Sequence, residues 1–163
     1  MRSSWHSGST SRLLAMALCV GVLVPAVVNA ESSRVAPVNS TDGIAIKGYD
    51  PVAYFVAGRP TPGVEAHAYR WNGVTYRFAS AENLERFKTD PERYVPRYGG
   101  YCAFAMSINR IADIDPARWA IVDGKLYLNK NLVSFGLWSV NTRQKIVSAD
   151  RYWTVFPKRP ESE

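Results

Sequence analysis

Apolar positions along this chain change spacing several times, and each change predicts an element. Leu13 to Val28 is apolar apart from Gly21 and Pro25. Residues 31–43 are polar, contain Pro37 and show no period, which predicts a flexible leader. Apolar residues return from Ile44 to Phe55 around Asp50-Pro51. Asp suits a helix N-cap and Pro the first helical position, so a short helix is expected there. Gly58 to Gly63, with Pro60 and Pro62, reads as a loop. The period then becomes two. His67, Tyr69 and Trp71 alternate with Ala68 and Arg70, and Val74, Tyr76 and Phe78 alternate with Thr75 and Arg77. Asn72-Gly73 sits between the two runs and tolerates the positive φ of a two-residue turn, so this is a β-hairpin. Its register sets Trp71 opposite Val74, Tyr69 opposite Tyr76 and His67 opposite Phe78. The six side chains then share one aromatic face, with His67 at its open end.

Helical spacing follows. Ser80 caps a helix to about Lys88 that turns Leu84 and Phe87 inward. Asp90-Pro91 starts a further turn through Tyr94, Gly99-Gly100 breaks it, and Tyr101 to Ile108 is expected as helix. Asp115-Pro116 marks a turn. A second hairpin pairs Trp119–Val122 with Lys125–Leu128 around Asp123-Gly124, placing Trp119, Ile121, Leu126 and Leu128 on one face. Asn131 caps a helix holding Leu132, Phe135, Trp138 and Val140. Asn141 or Thr142 caps a last one holding Ile146 and Val147. Trp153 and Phe156 are expected to pack back, and residues 157–163 to fray. Residues 44–156 are therefore expected to form one small α+β domain, two β-hairpins packed with several short helices.

The N-terminus changes the cellular context. Arg2 and Arg12 give a positive start ahead of the apolar run, and Val28-Asn29-Ala30 supplies small residues. Residues 1–30 read as a signal peptide cleaved after Ala30. The run is shorter than the ~20 residues that cross a bilayer. The reading is a periplasmic or secreted protein with no stable membrane insertion after cleavage. Removing residues 1–30 takes Arg2 and Arg12 and no acid, which leaves 18 Lys and Arg against 14 Asp and Glu. These charges alternate in sign with no basic block, so a nucleic-acid partner is not expected.

Cleavage also removes His6 and Cys19, so Cys102 and His67 are the last of their kinds. No disulfide can form within the remaining chain. Three readings of Cys102 stand side by side. As metal ligand, it lies four residues before Met106, on the same face of a helix. Thiolate and thioether together suit Cu(I), and His67 completes a three-ligand set if the hairpin's open end abuts this segment. As a redox centre, Cys102 enters a helix just after Gly99-Gly100, where the helix dipole and free N–H groups favour a thiolate. With no second cysteine, a catalytic cycle needs an outside thiol. As a structural residue, it is a small hydrophobe packed between Tyr101 and Phe104. Taken alone, Met106 reads as core and His67 as a hydrogen-bonded edge residue. No phosphate-cradling loop, dinucleotide fingerprint, paired-carboxylate signature or cysteine-hydrolase signature is present.

Some of these residues form a known pattern. Tyr76 to Tyr94 ends a strand in aromatics, carries Ser80 and Phe87, and closes on Asp90-Pro91-Glu92-Arg93-Tyr94. Asp50-Pro51-Val52 stands upstream, with the Asn-Gly hairpin between. Together, Tyr49 to Tyr94 resembles the YHS domain, a small metal-associated module of heavy-metal transport proteins and some oxygenases. Metal-associated members place cysteine right after Asp-Pro-Val and a Cys-x-x-x-Cys pair around the serine. This chain has Ala53, Ala79 and Asn83 at those positions. Alanine cannot ligate and an amide oxygen is a hard donor, so that ligand set does not carry over. Gly99-Gly100-Tyr101-Cys102-Ala103 through Asn129 resembles a subgroup of exported bacterial YHS proteins, some with selenocysteine at the cysteine. The resemblance implies redox or soft-ligand chemistry at Cys102. The expected function is an exported YHS-like binding module, handling copper or another soft metal ion, or an exported protein partner, through the Cys102 region. The alternatives are a thiol-dependent oxidoreductase with Cys102 as the reacting group, and a structural interaction domain with Cys102 buried.

Overall fold

The structure, a computed structural model, describes residues 36–156. The expected signal peptide and the 157–163 tail lie outside the described residues. In chain order the elements are β1 (Ser40–Thr41), β2 (Ile44–Ala45), α1 (Ala53–Val56), β3 (Val64–Trp71), β4 (Val74–Phe78), α2 (Ala81–Thr89), α3 (Pro91–Tyr94), α4 (Ala103–Ser107), β5 (Asp115–Val122), β6 (Lys125–Asn129), α5 (Leu132–Ser139) and α6 (Thr142–Val155). The fold is α+β. One sheet has the order β1-β2-β4-β3 and the other is the β5-β6 hairpin. No described helix is long and apolar enough to cross a membrane.

Both hairpins close as their turns dictate. Asn72 and Gly73 take φ of 47° and 77°, and Asp123 and Gly124 take 50° and 72°, the positive values that such turns require. Trp71 pairs Val74 and Tyr69 pairs Tyr76. Trp119 pairs Leu128 and Ile121 pairs Leu126. At the open end of the first hairpin the expected register fails: Val64, not His67, stands opposite Phe78, because β3 shifts register between Val64 and Ala68. The cause lies at Gly63, whose N–H donates to Gly48 O at 2.8 Å. A Cβ on Gly63 would stand 2.4 Å from the Arg77 carbonyl carbon. This close approach fixes the strand entry three residues early and leaves Glu65, Ala66 and His67 in the bulge.

Two cores result. The first gathers Val52, Tyr54, Tyr76, Phe78, Phe87, Leu126 and Leu128. Phe87 of α2 reaches it through the Ser80 cap, whose Oγ accepts from Asn83 N at 3.2 Å. Phe87 lies 5.0 Å from both the Tyr76 and Phe78 rings, centroid to centroid. The second core holds Tyr98, Met106, Tyr127, Trp138 and Ala149. Leu126 and Leu128 face one core while Tyr127, between them, faces the other, so β6 is buried on both sides. Trp153 and Phe156 pack against the second core, as their aromatic character predicts.

Three further expectations change in detail. The C-terminal part of the leader is built into the domain: β1 pairs β2, and Asn39 N donates to Gly99 O at 2.8 Å. Gly99 permits this at φ +60°, and any Cβ there would meet Pro37 O at 2.1 Å. Asp115-Pro116 begins β5 rather than only turning. It keeps a local kink, with Asp115 Oδ1 accepting from Ala117 N and Tyr54 Oη donating to Pro116 O. Finally, Asn141 precedes α6 in a left-handed conformation and makes no side-chain cap.

Asp113 pins the N-terminal segment. It pairs with Lys47 at 2.7 Å and accepts from Asn39 Nδ2 at 3.0 Å. Burial pushes its carboxyl up, but the hydrogen bonds from Lys47 and Asn39 outweigh this and hold it below the usual carboxylate range. A lowered folded value means the contribution is present above the unfolded pKa of about 3.9 and is lost as pH falls through the folded one. Asp113 is half exposed, so the effect is small and local. Amide protection over residues 39–48 is expected to fall below about pH 4 in wild type. In Asp113→Asn the same amides should be less protected at neutral pH, with no acid step.

Candidate functional site

Cys102 sits where the second core meets the first. Its backbone N–H donates to Ala112 O, and its carbonyl accepts from Met106 N, which makes it the N-cap residue of α4. The side chain points inward and the residue is 1% exposed. Two groups from the end of β6 engage the sulfur. Lys130 N donates to Sγ at 3.3 Å, and Sγ donates to Asn129 Oδ1 at 3.8 Å. Asn129 is itself fully buried, and its Oδ1 also accepts from Phe104 N at 3.1 Å. Its Nδ2 is buried without a hydrogen-bond partner. Asn129 therefore supplies the acceptor that the first turn of α4 lacks, and it orients the thiol in doing so.

The residues predicted to assemble around Cys102 fall in different places. Met106 is fully buried, but it packs in the second core, while Cys102 packs in the first. The two are neighbours along α4, joined by the Met106 N to Cys102 O bond. His67 lies in the bulge of β3, at the outer edge of the four-stranded sheet. Among the described residues, no group of three or more His, Cys, Asp and Glu side chains is placed to share a metal ion.

A second constellation lies at Asp50, expected as a helix cap and as the first residue of the Asp-Pro-Val triplet. Asp50 is fully buried. Its Oδ1 accepts from Val52 N at 2.8 Å and Ala53 N at 3.2 Å. Its Oδ2 accepts from Ala79 N at 2.9 Å and Asn83 Nδ2 at 2.6 Å. Positions 53, 79 and 83 are those where the resemblance places cysteines, and all three converge on one carboxylate. At these positions the groups that face the carboxylate are two backbone amides and an amide side chain. They offer N–H groups to an anion, not lone pairs to a cation, and do not fit a soft metal. The sequence shows that cysteine is absent at all three positions, but not that they meet at Asp50.

Another recess is separate from both. It is a groove of about 480 Å³ walled by Trp71, Tyr76, Tyr98 and Trp153, with Arg97 and Lys125 beside them. Cys102 is not among its lining residues. Arg97 is held at the groove by Asp150, at 2.9 Å, and Tyr98 Oη donates to the same Asp150 oxygen at 3.1 Å. Burial, with the Asp150 charge beside it, pushes the Tyr98 phenol well above its usual range, so it remains a neutral donor.

Residues 52–98 match the family model of the YHS domain. The matched stretch runs from α1 through the first hairpin, α2 and α3 to the Tyr98 turn. The remainder, with Cys102, the second hairpin, α5 and α6, lies outside the match. No curated protein and no solved structure matches the chain.

Proposed function

We propose that the chain is an exported, non-catalytic YHS-domain binding module. In this reading recognition is carried by its surface and Cys102 is a structural thiol. One observation carries it: the Cys102 sulfur is enclosed and both of its hydrogen bonds join the start of α4 to the end of β6. A thiol so placed behaves as a small core residue with a directional contact. The Asp50 cluster supports the same reading, because the position where the resemblance puts a metal is filled by hydrogen bonds within the protein. The test is copper and zinc content per chain, on protein recovered after export under reducing conditions, beside Cys102→Ala. The reading expects neither metal in stoichiometric amount in either protein. Near one ion per chain that disappears in Cys102→Ala would overturn it in favour of a soft-metal module centred on Cys102.

One contact favours a thiol redox role instead. Lys130 N–H points at Sγ, as it would at a thiolate. That role requires the junction of α4 and β6 to open. A Cys102→Ser protein that folds normally, yet loses a peroxide reaction the wild type shows, would establish it.

A further inference from the structure

Helix α5 has no charged residue and only two serines, Ser134 and Ser139, and one side of it packs on the domain. Phe135 and Trp138 face the second core, where Trp138 stacks near Tyr127 with ring centroids 5.4 Å apart. The opposite side points outward. Leu132 is 64% exposed, Val133 69%, Leu137 49%, and Val140, just past the helix end, 62%. At 100° per residue these four fall within one stripe, with Gly136 inside it. No charged residue occurs from Leu132 to Ser139. Scattered exposed apolar side chains need no explanation, but four on one stripe of an uncharged helix mark a contact surface. A surface helix normally turns polar groups outward.

The charges around this stripe indicate what it meets. Between Asp123 and Asp150 the chain has no acidic residue. Lys130 lies just before α5, and Arg143 and Lys145 lie in the first turns of α6, directly after it. Lys145 Nζ donates to Val140 O, which places a cation against the apolar stripe. A face-to-face pair of copies would set these cations against their own counterparts, with no acid in the segment to offset them. An anionic bilayer surface complements both features: the apolar side chains enter the headgroup boundary and the cations meet lipid phosphates.

We propose that the outward face of α5, with Lys130, Arg143 and Lys145, docks the domain on an anionic membrane surface. The proposal rests on the reading that recognition is carried by the surface, and it names the partner. Its failure is separable from failure of that reading, which is decided by metal content. The experiment uses protein recovered after export, with mass spectrometry confirming removal of the leader. The probe is vesicles of phosphatidylcholine with and without phosphatidylglycerol, in co-sedimentation. The expected result is binding to the anionic vesicles that weakens as salt rises. Leu132→Ser/Val133→Ser/Leu137→Ser should lose roughly tenfold or more in partitioning, since three apolar side chains no longer leave water. Arg143→Glu/Lys145→Glu, which leaves the stripe intact, should lose the preference for phosphatidylglycerol. Near-UV circular dichroism checks that each variant is folded. No vesicle binding by wild type, or equal binding by wild type and both folded variants, overturns the proposal. Dimers in analytical ultracentrifugation that the triple serine variant disperses, without vesicle binding, overturn it in favour of a contact between copies.

Discussion

Asp50→Ala is expected to destabilise the domain by about 3–5 kcal/mol, among the largest effects of any single substitution here. The carboxylate is fully buried and accepts four hydrogen bonds from Val52, Ala53, Ala79 and Asn83. Its removal strands three backbone N–H groups and one amide in the interior. Each buried donor left unpaired costs roughly 1–3 kcal/mol, and partial access of water near Ala79 and Asn83 relieves some of the sum. Asp50→Asn keeps the volume but turns an NH2 group toward donors, so it should be nearly as harmful. Asn83→Ala should cost much less, about 1–2 kcal/mol, because the carboxylate keeps its three backbone partners. Urea unfolding of the three variants measures the ranking. A near-neutral Asp50→Ala would mean that the cluster does not hold α1 to the start of α2.

Asn129→Ala is the second large effect, expected at about 2–4 kcal/mol. Phe104 N loses its acceptor at the start of α4, the Cys102 thiol loses its partner, and a fully buried side chain leaves a void. The unpartnered Nδ2 tempers the loss, since truncation also removes a buried orphan donor. The same variant should make Cys102 easier to alkylate, because Asn129 and Lys130 together close the sulfur off. Alkylation rate and unfolding midpoint, measured on one sample, separate local opening from global loss of stability.

Much of the fold was legible because short-range chemistry decides it. Asn72-Gly73 and Asp123-Gly124 fix their hairpins through positive φ, and Ser80 and Asn131 cap α2 and α5 through their side chains. Alternation alone does not reveal the bulge in β3. It depends on Gly63 meeting the Arg77 backbone, a contact between segments fourteen residues apart. Residues 36–43 looked like leader because they lack a period, yet Asn39, Asp113 and the left-handed Gly99 hold the segment by polar and backbone contacts that leave no hydrophobic pattern. At the candidate site, the absence of the metal-associated cysteines was visible at Ala53, Ala79 and Asn83. What replaces them was not, because Asp50 lies 29 and 33 residues from its Oδ2 partners. The i,i+4 spacing of Cys102 and Met106 is real on α4, but β6 is buried on both faces and divides the two side chains between separate cores.

A structural role for Cys102 requires its sulfur to be closed off in the native state. The direct measurement is the rate at which a disulfide reagent such as DTNB reacts with the exported protein, with and without denaturant. A closed sulfur gives one thiol per chain that reacts only as the protein unfolds, its rate following the unfolding transition. One thiol reacting in the absence of denaturant as fast as a free cysteine would contradict it and return Cys102 to the centre of the chemistry.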